Sequence, residues 1–162
     1  MDPIRSGLTS GVGATVVLAA FLAVADSFLR AGELFVFSTV TPLCTIPSEG
    51  YCTLGTPMAD AITWLSFALL FVLAWPLFFV AITWALPGES GVAHGIVYGI
   101  ALWAGYVVIV FLEIQWGGAA VRETLPMVAV VLLAYVVYGV VLGGGYDYLA
   151  EHRTLFGEEG TG

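Results

Sequence analysis

The chain has 162 residues, of which 60% are hydrophobic and only 10% charged, and its mean hydropathy is +1.00. Soluble domains carry about 45–50% apolar and about 25% charged residues, so the composition indicates one integral membrane domain and leaves no room for a separate soluble module. Twelve acids face four bases, all of them Arg, for a net charge of −8; this excludes the basic patch that nucleic acid or anionic lipid would need, and a Lys-free acidic surface suits high salt, where repulsion is screened over about 3 Å at 1 M.

Met1 to Ser10 reads as a polar leader, followed by the apolar run Gly11 to Phe28 and a first helix over about 9–30. Arg5 and Ala23-Val24-Ala25 resemble parts of a secretory signal. The apolar face continues past the candidate cleavage site through Phe28 and Leu29, so an uncleaved helix is expected. Asp26 precedes Arg30 by four residues, the favourable order for a local ion pair on a helix. An acid within a span is also a candidate ion or proton site.

The next 30 residues form the longest connection, rich in turn formers. It holds the two cysteines of the chain, Cys44 and Cys52. In an oxidising compartment their disulfide would close a small loop and contribute about 2–3 kcal/mol; two free thiols are the alternative. They lie too far apart for a zinc knuckle.

The second helix, 61–86, contains no charged residue. The 20 steps from Trp64 to Trp84 cover about 30 Å, the thickness of a bilayer's hydrocarbon core, and place one Trp at each interface. Pro76 predicts a kink, because the carbonyl of Val72 loses its α-helical donor. The third helix, 92–113, carries Gly95, Gly99 and, with Ala101, Gly105 on small-residue faces that allow close helix approach. Glu113 ends it, level with Asp26. The fourth helix, 125–147, opens at Leu125-Pro126 and carries Tyr135, Tyr138, Gly139 and Gly143 on a packing face. Gly143-Gly144-Gly145 lacks the Lys-Ser/Thr ending and preceding strand of a phosphate loop; it either loosens the helix end or permits close contact. His94 and His152 read as interfacial, with no metal site expected. Residues 151–162 read as a flexible polar tail.

The expected fold is therefore an all-α membrane protein, one domain over 1–150, with four transmembrane helices in an up-down bundle and a long first loop. Both termini share one side. The Arg residues divide evenly and do not orient the chain; a Cys44–Cys52 disulfide would put the loop outside and the termini in the cytoplasm. There is no catalytic motif, and neither a cofactor nor a metal is expected.

Three stretches carry a resemblance. They are Ala74-Trp75-Pro76-Leu77-Phe78-Phe79-Val80-Ala81 with Leu86-Pro87-Gly88, Gly95-Ile96-Val97-Tyr98-Gly99-Ile100-Ala101-Leu102-Trp103, and Leu133-Ala134-Tyr135-Val136-Val137-Tyr138-Gly139-Val140-Val141-Leu142-Gly143-Gly144. Together they resemble a haloarchaeal family of small four-helix membrane proteins of unknown function. The resemblance implies fold and habitat, not activity.

Three functions compete. The first is a non-catalytic accessory or scaffold subunit of a larger membrane complex, respiratory for example, with partner subunits or further copies meeting the small-residue faces at Gly95 and Gly99. The second is an oligomeric ion or proton transporter using Asp26, Glu113 and the Pro76 kink. The third is a membrane redox protein using Cys44 and Cys52. They rank in that order.

Overall fold

The computed structural model describes residues 2–29, 57–87, 90–117 and 121–150, with the side chains of 29, 58–60, 62–63 and 109–125 outside that description. Helix α1 spans Pro3–Leu29. The second span is composite: α2 Pro57–Ala68, a π-helical segment Leu69–Ala74, α3 Trp75–Ile82 and a 3-10 turn Thr83–Ala85. Helix α4 spans Gly91–Gly117 and α5 spans Val121–Ala150. Four stretches among these are long and apolar enough to cross a membrane, so the chain is an all-α, multi-pass membrane protein, consistent with residence in the cell membrane. Residues 30–56 (with Arg30, Cys44 and Cys52) and the tail from 151 (with His152) lie outside the described residues.

The helices run several residues past the spans expected from hydropathy. At the start, the Asp2 carbonyl accepts the Ser6 N–H at 2.9 Å, and Pro3 occupies the first turn, where its missing N–H costs nothing. Three hydroxyls in the first half of α1 are absorbed by their own helix. Thr9 Oγ1 donates to the Arg5 carbonyl, Ser10 Oγ to that of Ser6 and Thr15 Oγ1 to that of Gly11, a local pairing that lets hydroxyls sit in an apolar setting. At the other end, α5 begins at Val121 and holds Pro126 inside it.

Helix α5 is the centre of the bundle, and α4 and α1 make their closest approaches to it. A methyl on Gly95 would collide with the Gly139 carbonyl, and one on Gly139 with the Gly95 carbonyl; Gly91 and Gly143 oppose each other in the same way. Gly143-Gly144-Gly145 turns out to be a site of close contact. Gly143 meets α4, while a Cβ on Gly145 would stand 2.9 Å from Ser10 Cβ of α1. On the far side of α1, Gly7 lies against Val80 and Gly11 against the Pro76 ring. All these pairings are antiparallel, as an up-down bundle requires.

Aromatic rings fill the space between the second span and the rest. Phe71 lies 5.0 Å from Phe67 and edge-on to Tyr138 at 5.2 Å; Phe79 lies 5.1 Å from Tyr98 and 5.7 Å from Tyr146. Tyr98, Tyr138, Phe71 and Phe79 are among the largest fully buried side chains.

Candidate functional site

The broken second span is the most distinctive feature of the interior. Pro76 cannot donate a hydrogen bond, and its ring clashes with the carbonyl four residues back in a regular helix. The chain answers with a wider turn. The Trp75 N–H bonds the Leu70 carbonyl, five residues earlier. In that register the carbonyl left without a backbone donor is that of Phe71, one residue from the Val72 carbonyl expected from an α-helical kink. Tyr138 Oη of α5 donates to the Phe71 carbonyl at 2.8 Å, and Tyr98 Oη of α4 donates to the Trp75 carbonyl, also at 2.8 Å. Inside a bilayer an unmet carbonyl costs several kcal/mol, and π adjustments with neighbouring side chains are the usual remedy. The carbonyl freed at the kink is thus capped by the Tyr138 hydroxyl, and the Tyr98 hydroxyl ties the neighbouring Trp75 carbonyl to α4.

A second polar locus lies at the end of the bundle that carries residue 2 and residue 150. Ser90 Oγ accepts the Ala93 N–H at 3.3 Å as the N-cap of α4. Asp147 Oδ2, from α5, accepts the Gly91 N–H at 3.4 Å, so a neighbouring helix supplies part of the cap. Thr83 Oγ1 donates to the Phe79 carbonyl. His94 sits half-buried in the first turn of α4. Among the described residues, no group of three or more His, Cys, Asp and Glu is placed to hold a metal.

Asp26 lies half-buried, one turn before the end of α1. Glu113 lies near the end of α4, with its side chain outside the description. Pro76 is buried. Gly95, Gly99, Gly139 and Gly143 pack against one another within the chain, so the partner contact expected at Gly95 and Gly99 is already occupied by α5. Gly105 differs: nothing lies within 4 Å of where its Cβ would stand, and the same holds for Gly13 of α1.

Tyr98, Asp147, Gly7 and Gly11 were not singled out from sequence. Gly7-x-x-x-Gly11 has the small-xxx-small form and was the available signal; its placement in an apparent polar leader masked it. Nothing local marks Tyr98 as a cap, since its acceptor is 23 residues away.

Residues 1–156 match the model of a family of unknown function, DUF6789. No curated protein and no solved structure matches the chain.

Proposed function

The chain belongs to DUF6789, and we infer that it serves as a non-catalytic accessory or scaffold subunit of a larger membrane complex. The observation that carries this reading is the pair of small-residue faces left over after the bundle has packed. On α4, Ala101, Ala104 and Gly105 point outward together. On α1, Gly13, Ala20 and Ala23 do the same, flanked by the exposed Val12, Val16 and Val17. The second span instead exposes Trp64, Leu65, Leu69, Leu73, Phe78 and Trp84, the bulky side chains suited to lipid. Small residues allow another helix to approach closely, and close approach drives helix association in a bilayer.

A haloarchaeal, high-salt habitat fits the acidic, Lys-free composition, and cytoplasmic termini would follow if Cys44 and Cys52 form a disulfide in an oxidising exterior. The transporter reading keeps Asp26 and Glu113 as its acids, but the ring-filled interior and the capped kink favour the scaffold.

The test is purification from native membranes in mild detergent at high salt, with mass spectrometry and a visible absorption spectrum. A stoichiometric partner is expected with the wild-type chain. It should be lost on Ala101→Leu with Gly105→Leu, with the unfolding temperature unchanged. A colourless homo-oligomer whose vesicles pass ions until Asp26→Asn is introduced would replace this reading with the transporter.

A further inference from the structure

The second span places its vacancy where one hydroxyl can meet it. In an α register the Trp75 N–H would bond the Phe71 carbonyl, and Pro76 would leave the Val72 carbonyl unmet. In the observed π register the Trp75 N–H bonds the Leu70 carbonyl, and the unmet carbonyl is that of Phe71. Tyr138 Oη donates to that oxygen, buried, at 2.8 Å. The hydroxyl is indispensable in one register only, since a carbonyl that already accepts a backbone N–H can share its second lone pair but does not need to. After a shift to the α register it would point at an oxygen already bonded to Trp75. The Val72 carbonyl would then stand beside Gly11, which has no polar side chain to offer; a Cβ there would lie 3.4 Å from that oxygen.

The two halves of the span are held differently. Helix α3 is fixed on α1 by Gly7 and Gly11 and to α4 by the Tyr98 hydroxyl. Helix α2 buries a single side chain among those described, Phe67, and exposes Trp64, Leu65 and Ala68. A change of register at Leu69–Ala74 would therefore move α2 and leave α3 in place.

We propose that the Tyr138 hydroxyl is a register latch: it holds the second span in its π form, and its release lets α2 turn by one residue relative to α3. One residue is about 100° of rotation and about 1.5 Å of travel. The turn brings Ala68 to the place of Phe67 and changes the face that α2 presents to its surroundings. Tyr98 is not part of the latch, because its acceptor, the Trp75 carbonyl, lies beyond the π segment Leu69–Ala74, at the start of α3.

Two measurements test this in the full chain, with Cys44 and Cys52 changed to Ser. The first is oxygen accessibility of a nitroxide attached through Ala68→Cys. Accessibility is expected to be high in the otherwise native chain and several-fold lower after Tyr138→Phe; equal values overturn the latch. The second is a double-mutant cycle in unfolding temperature between Tyr138→Phe and deletion of Leu70, which takes the extra residue out of the π turn. Tyr138→Phe should lower the unfolding temperature by several degrees in the full-length span and have little effect in the deletion background, whereas Tyr98→Phe should cost the same in both. If Tyr138→Phe alone does not fold, rescue by the deletion supports the latch. An equal cost in both backgrounds, or no rescue, overturns it.

Discussion

The seam between α4 and α5 and the seam between α1 and the second span are both lined by glycine, yet they are built differently. At the first, backbone meets backbone: Gly95 and Gly139 each stand against the other's carbonyl. At the second, backbone meets side chain: Gly7 stands against Val80 Cγ2 and Gly11 against the Pro76 ring. A side chain can be trimmed or can change rotamer; a carbonyl in a helix cannot. The first seam also brings α4 and α5 near enough for Trp103 Nε1 to donate to the Val128 carbonyl at 3.0 Å and for Asp147 to reach Gly91. Across the bundle, the second span is reached from α4 and α5 by long tyrosines. The same residue type thus makes a rigid joint in one place and an adjustable one in the other.

The sharpest way to break the contrast is a single methyl on the rigid side. Gly95→Ala should cost about 3 kcal/mol, the upper range of overpacking, read as a fall in thermal unfolding temperature in detergent, and no second substitution should restore it. Gly7→Ala should cost less, about 1–2 kcal/mol, and Val80→Ala should recover most of that by clearing the space; failure of the rescue would make the two seams alike. Trp103→Phe, which replaces the indole by a smaller ring and removes the donor to Val128, should cost about 0.6 kcal/mol and at most about 1.7 for the hydrogen bond, the average and the maximum for such bonds between membrane helices. The smallest effect has the opposite sign. Ser6 Oγ is buried with no hydrogen-bond partner, so Ser6→Ala should leave stability unchanged or raise it by up to about 1 kcal/mol.

The spans were legible because a bilayer demands long apolar helices and charge marks their limits. Trp64 and Trp84 are 57% and 64% exposed, as residues at a lipid boundary should be. The start of α1 was not legible from hydropathy, since Thr9, Ser10 and Thr15 turn their hydroxyls onto their own helix's carbonyls and leave no apolar trace. The glycines were visible as small-residue faces, but a face does not name the helix that covers it; Gly95 and Gly105 look alike in sequence and differ completely in surroundings. The π segment Leu-Leu-Phe-Val-Leu-Ala contains nothing that marks it. Its register depends on the Pro76 ring and on a tyrosine 67 residues further along.

The central place of α5 has a consequence for how the protein is made. It is the last of the four spans to leave the ribosome, yet it is the helix that α1 and α4 approach most closely. Until α5 enters the bilayer, Gly91, Gly95 and Gly99 line a bare groove on α4, and the face of α1 around Ser10 lacks Gly145. The seam of α1 with the second span can form earlier, through Gly7 and Gly11, but α4 gains its glycine-lined contact, and the bundle closes, only when the fourth span arrives.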